Sequence, residues 1–297
     1  MMKTETGKLH PAAEMYAKDC IDGKLSRREF LTYATSLGLT ATAAYGLIGL
    51  NTPAVAQSTP QMGGTLRILQ SVRALTDARI TDWTEIGNSM RSMFDYMVEP
   101  QNDGSISPML LESWEVSEDA MQYTLTARTG VTWSNDEPFT SEHVAWMLDY
   151  WADGNVEGNS MAGRFSALQD PETKKLRDGA VEILDERRVQ LNLAVPDITL
   201  IASMADYPAS VVHPSFDAND IPNSVCTGPY RIIEHEVGIK SVMERAKTPW
   251  WGTDVVGGPY LDRIEFIDYG DNAAAWVAAA ESDEVDMLYE SVGEFID

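Results

Sequence analysis

The sequence predicts an α/β fold in which helices cover mixed, α+β-type sheets, and three observations predict it. Short alternating runs bounded by glycine read as strands and hairpins, as in "GPYRIIEHEVGIKSVMERA". Between them, "SEHVAWMLDYW" places Val144, Met147, Leu148 and Trp151 on one helical stripe. Near the end, "YLDRIEFIDYG", "NAAAWVAAAE" and residues 285–288 read as strand, helix and strand, the unit that layers helices on a sheet. Eight Trp, eleven Tyr and 44% apolar residues suffice to fill one core.

In chain order, "GGTLRILQS" alternates around Leu66 and Ile68 and predicts the first strand. Residues 88–98, "NSMRSMFDYMV", set Met90, Met93, Phe94 and Met97 at helical spacing, a stripe that reads as core. From Trp114 the pattern becomes a meander of short strands, with Tyr123, Leu125 and Ala127 on one face and a turn at Gly130. Thr140 can cap the helix that follows, and Glu142 suits its first turn. Residues 152–179 are loop-rich; "AVEILDERRVQLNLA" predicts a hairpin turning at residues 185–187, and a short helix follows over 198–204. A second hairpin turns at Gly238, and Asp271 is placed to cap the last helix. No internal repeat is visible.

The amino-terminal part reads differently. Two arginines, Arg27 and Arg28, precede a run free of charge over residues 31–56, and Ala54 and Ala56 satisfy the small-x-small rule for cleavage. "SRREFL" resembles the twin-arginine export signal, which sends proteins out already folded. Residues 1–56 are therefore expected to be a removable leader, with the mature chain starting at Gln57 in the periplasm. Cys20 lies upstream of the apolar run and is not a lipidation cysteine. After cleavage only Cys226 would remain, so no internal disulfide is expected.

The net charge is −24, and the first 56 residues hold only six of the 22 basic and five of the 46 acidic side chains, so the remainder is at least as negative. Nucleic acid and anionic membranes would repel such a surface. Catalytic signatures are missing from the sequence: it has no nucleophile elbow, zinc-protease helix, phosphate loop or dinucleotide fingerprint. Its histidines, His10, His143, His213 and His235, are isolated, so only tertiary approach could pair them as ligands. "DAND", residues 217–220, lacks the glycine and distal glutamate of a calcium loop. No metal, no cofactor and no enzymatic activity are expected.

Eight fragments occur in a telling order: "GGTLRI", "FDYMV", "DGSISPMLLESWEVSED", "YTLTARTGVTWSNDEPFTSEHV", "CTGPYRI", "TPWWG", "GGPYLDRIEF" and "AAAESDEVDM". In sequence and spacing they resemble the peptide/nickel-type (family 5) solute-binding proteins of ABC importers, from Gly63 onward. Trp114, Tyr123 and Trp133 read as core residues of that scaffold. Thr227, Gly228, Pro229 and Tyr230 read as a stiff turn, with Gly228 offering a positive φ. Ala120 and Asp136 stand where the family usually has glycine.

The resemblance implies a periplasmic binding protein-like type II shell of two lobes closing on a ligand. On that pattern residues 57–284 form the first lobe, with a hairpin-rich subdomain near residues 100–220, and residues 285–297 start the crossing to a second lobe that the sequence does not include. A truncated chain, and weak binding by this piece alone, are the corresponding expectations. Position-matching implies ligand contacts at Asp82, Trp83 and Thr84, at Met161, Arg164 and Phe165, and at Tyr289 and Glu290. The implied function is solute capture, a short peptide first among nickel chelates, oligosaccharides and opines, and delivery to a membrane permease. The expected partners are the ligand, the permease and the twin-arginine translocase, with the protein itself a monomer. Rival readings are an exported redox or hydrolytic enzyme and a sensory or chaperone-like binding module without a transporter.

Overall fold

A computed structural model describes residues 9–53, 59–246 and 249–289. The expected cleavage residues Ala54 and Ala56 and the contact candidate Glu290 lie outside the described residues. No described helix is long and apolar enough to cross a membrane.

The main sheet has five strands: β1 (Thr65–Leu69), β8 (Tyr230–Glu236), β9 (Lys240–Arg245), β10 (Arg263–Ile267) and β11 (Met287–Leu288), in the order β11-β1-β10-β9-β8. Strand β1 runs parallel to both of its neighbours, β10 and β11, and the β8–β9 hairpin adds antiparallel strands at one side. Helix α6 (Ala273–Glu281) joins β10 to β11 and buries Ala279 against Leu69 and Val285. Its cap is Asn272 and not the expected Asp271: the Asn272 side chain accepts the Ala274 amide at 3.0 Å.

A second sheet is antiparallel throughout, β4 (Leu111–Val116), β5 (Gln122–Ala127), β7 (Arg188–Asn192) and β6 (Val181–Ile183) in spatial order. As the alternation predicts, Tyr123, Leu125 and Ala127 are fully buried on one face of β5. Helix α5 (Ser141–Ala152) covers that face with Val144, Met147, Leu148 and Trp151. Trp114, Tyr123 and Trp133 all lie in the core. Ala120 (φ 53°) and Asp136 (φ 68°) adopt the left-handed backbone that glycine takes most readily.

Two further expectations change. The helix expected over 88–98 is instead α4 (Thr84–Arg91), and the chain then turns into β2 (Val98–Pro100), which pairs with β3 (Ile106–Pro108). Tertiary pairing ends the helix: the amides of Gly228 and Tyr230 take the carbonyls of Met93 and Ser92 at 3.0 and 3.1 Å. The methionine stripe is core all the same, since Met90, Met93, Phe94 and Met97 are buried. Gly228, in turn, has no positive φ. It is needed for close approach, because a Cβ there would sit 2.5 Å from the Met93 carbonyl oxygen.

The amino-terminal part folds as α1 (Pro11–Ile21), α2 (Arg27–Ser36) and α3 (Ala41–Leu47). The "SRREF" stretch starts α2 with a capping box, in which the Glu29 amide donates to Ser26 Oγ and the Ser26 amide to Glu29. Its charge-free run supplies packing surface: Phe30, Leu31, Ala34, Ala44 and Tyr45 are buried in the main core. Polar contacts fix the seat, with the Ile106 amide donating to Thr35 Oγ1 at 2.9 Å and the Trp114 indole to the Ser36 carbonyl at 3.0 Å.

Candidate functional site

The parallel strands β1, β10 and β11 end side by side, and the loops leaving those ends wall a narrow recess. Its lining is Leu69, Gln70, Ser71, Glu85, Asp268, Gly270, Trp276 and Tyr289. Open α/β sheets bind ligands outside the carboxyl ends of their strands, because loops diverge there and leave a crevice.

Hydrogen bonds within the wall fix its shape. Asp268 accepts the Val72 amide at 2.7 Å and the Gly270 amide at 2.8 Å, tying the β1 and β10 exits together. The Trp276 indole donates to the Gly270 carbonyl at 2.7 Å. Gln70 donates to the Glu85 carbonyl at 3.2 Å and accepts from the Asn88 amide group at 3.1 Å, which holds α4 against the end of β1. The Tyr289 amide donates to the Leu69 carbonyl at 2.9 Å, which seats Tyr289, just past β11, on this rim.

The loop between β1 and α4 is set by a partly buried cluster. Arg79 pairs with Asp77 at 2.7 Å, and its guanidinium lies 3.6 Å from the centre of the Tyr150 ring on α5. The Tyr150 hydroxyl donates to Asp77 at 2.6 Å. Burial alone would raise the Asp77 pKa, but the hydrogen bonds from Arg79 and Tyr150 outweigh it and hold the carboxyl below the usual aspartate range. This cluster positions the segment that leads to Asp82, Trp83 and Thr84.

The structure separates the contacts expected from position. Asp82, Trp83 and Thr84 directly precede Glu85 of the recess, and Trp83 is 47% exposed. Tyr289 lines the same recess and is 36% exposed. Sequence reading missed Arg73, whose guanidinium stacks 3.8 Å from the centre of the Trp83 ring. An arginine four residues past a strand carries no pattern that would mark it.

Met161 and Phe165 correct the expectation for the other loop. Both are fully buried, and Phe165 stacks on Trp151 with ring centres 5.3 Å apart, so they are core side chains and present nothing to a ligand. The reason is the 3-10 stretch Ala162–Leu168, which turns them under α5. Arg164 remains at the surface, paired with Asp206 at 2.6 Å. It lines a hollow of about 390 Å³ together with Arg28 and Thr32 of α2, so part of that wall belongs to the amino-terminal helices. A broader, open hollow of about 620 Å³, walled in part by Glu99, Arg128 and Val256, lies away from the strand ends.

Comparison with known proteins adds to this geometry. The model of the bacterial extracellular solute-binding proteins, family 5 Middle, matches residues 105–296. The nickel-binding periplasmic protein of Escherichia coli (strain K12) is 27% identical over 207 residues, covering 68% of this chain and 36% of that protein. The dipeptide-binding protein DppE of Bacillus subtilis (strain 168) is 24% identical over 229 residues, 70% of this chain and 38% of its own. Haemophilus influenzae OppA, solved in complex with RPPGFSPFR, superimposes with a TM-score of 0.66 at 18% identity, over 80% of this chain and 48% of that one. The chain thus spans little more than a third of the length of these curated relatives.

Proposed function

Since the chain belongs to the family 5 bacterial extracellular solute-binding proteins, we propose that it forms one lobe of a periplasmic receptor for an ABC importer. The receptor captures a small solute between lobes and passes it to a membrane permease. The observation that carries this reading is the recess at the ends of β1, β10 and β11, with Tyr289 on its rim. A second wall added there would close a cleft, and closure by a hinge buries the ligand without any covalent step.

A short peptide is the proposed ligand. The names of relatives such as the dipeptide-binding DppE support it, as does a rim that sets the aromatic platform of Trp83 beside Gln70, Ser71 and the carboxylates of Glu85 and Asp268. Asp82, Trp83, Thr84 and Tyr289 are the proposed contacts on this side, with Glu290 following in sequence. Arg73 backs Trp83 by stacking on its ring.

Residues 1–56 are proposed to be a twin-arginine leader, supported by "SRREF" ahead of the charge-free run. The translocase would then receive a lobe already folded, with the leader helices seated on it. The protein is proposed to act as a monomer without catalysis.

Denaturing the full-length protein and identifying the released molecules by mass spectrometry tests the reading. Short peptides at about one per chain are expected. A chromophoric cofactor, or turnover of a substrate, would transfer the protein to the enzyme reading.

A further inference from the structure

Glu137, His143 and His213 are separate in sequence, yet their ligand-capable atoms all lie within 4.8 Å of one another. Glu137 Oε1 is 3.3 Å from His143 Nε2, and Glu137 Oε2 is 3.0 Å from His213 Nε2. Ligand atoms around a tetrahedral ion with bonds of about 2.0–2.1 Å are separated by about 3.3 Å, so the two Glu137–imidazole spacings are close to those of one coordination shell, and the third spacing, within 4.8 Å, needs only a small inward shift of the imidazoles.

The imidazoles are held in place before any ion arrives. Both are buried, His143 packs nearly parallel to Phe139, and His213 meets the Trp133 ring edge-on at 5.0 Å. Each also has a neighbour at its second nitrogen. His143 Nδ1 lies 3.2 Å from Thr140 Oγ1, and His213 Nδ1 lies 2.7 Å from Ser215 Oγ. As the hydrogen bonds stand, the amides of Thr140 and Ser215 donate to those Nδ1 atoms, which leaves each Nε2 bearing a proton toward Glu137. Loading an ion at each Nε2 would require its proton to move to Nδ1, where the amides of Thr140 and Ser215 would give up their bonds and the neighbouring hydroxyl oxygens would become the acceptors. Oxygen acceptors behind ligating imidazoles are the usual second layer of such sites.

We propose that Glu137, His143 and His213 bind one divalent transition-metal ion of the zinc class. The donor set of two imidazoles and one carboxylate suits borderline ions rather than calcium or magnesium. The exposed side of Glu137 leaves a coordination position toward solvent. None of the three residues lines the recess at the strand ends, so this ion is a structural clamp and not the transported solute. It would lock the turn around Trp133, the first turn of α5 and the loop at His213 to one another.

The test uses untagged chain of residues 1–297, Zn²⁺ alone as titrant, and calcium as the control ion. Calorimetry is expected to show one zinc per chain with a Kd of about 10 μM or tighter. Zinc should raise the melting temperature, and calcium should not. Glu137→Gln, an exposed change, should weaken binding by about tenfold or more, and His213→Gln should abolish the one-site isotherm while circular dichroism reports a folded chain. No uptake at about 0.1 mM Zn²⁺ would overturn the proposal. So would equal uptake by parent and variants, which would mean scattered surface carboxylates.

Discussion

The Trp251 indole donates to the Asp95 carboxylate at 2.8 Å, joining two stretches of chain 156 residues apart. Trp250 adds a second, longer bond at 3.3 Å to the same oxygen. Asp95 is buried and, among the described residues, makes no ion pair; that burial pushes its pKa up to about 6 from 3.8, although the indole bonds pull the other way. A carboxyl whose folded pKa is raised contributes fully below its unfolded pKa, and the contribution is lost as pH rises through the folded value. Between about pH 4 and 6 this group therefore makes stability fall with rising pH, by roughly 3 kcal/mol at most.

Asp95→Asn keeps an oxygen for both indoles and cannot ionise. Relative to the parent it is expected to gain about 1–3 kcal/mol at pH 7.5 and little at pH 4.5, measured by urea unfolding at both values. An equal change at the two pH values would show that Asp95 stays neutral or stays charged throughout.

Gly228→Ala is expected to cost about 2 kcal/mol or more, because the new methyl meets the Met93 and Ser92 backbone at 2.5–2.8 Å and neither can swing aside. Gly163→Ala is the matched control. Nothing lies within 4 Å of its would-be Cβ, so it should stay within about 0.5 kcal/mol of the parent. Similar unfolding midpoints for both variants would mean that the turn at Gly228 can move away from α4.

The strands and α5 were legible because period-2 and period-3.6 patterns coincide with single buried faces, as in Tyr123, Leu125 and Ala127. The end of α4 was not, since it depends on Gly228 and Tyr230 capturing carbonyls from more than a hundred residues away. The same limit governs the site. The expected contacts Asp82 to Thr84 and Tyr289 rest on matching positions to the resembled family and stay proposals, whereas the burial of Met161 and Phe165 follows from a 3-10 turn that periodicity does not encode. The meeting of His143 with His213 is also tertiary: one caps a helix, the other precedes Pro214 in a loop.

The seat of α2 gives a direct measurement. The Ile106 amide is buried, and its acceptor is Thr35 Oγ1. Thr35→Val keeps the shape and removes that acceptor, so it should cost about 1–3 kcal/mol and speed hydrogen exchange at Ile106. Unchanged exchange and stability would show that the amino-terminal helices do not rest on β3 in solution.

Trp83 and Phe165 give opposite expectations, because one is exposed at the rim and the other is core. In the full-length protein, Trp83→Ala should weaken binding of the identified solute by about tenfold, roughly 1.4 kcal/mol, through loss of the platform on which Arg73 stacks. Its unfolding midpoint without ligand should scarcely move, since little buried surface is lost. Phe165→Ala removes a fully buried ring stacked on Trp151 and should cost about 3–5 kcal/mol of stability. Where that variant remains folded, its affinity should match the parent. The reverse pattern, with Phe165 setting affinity and Trp83 setting stability, would move the ligand site to the loop after α5.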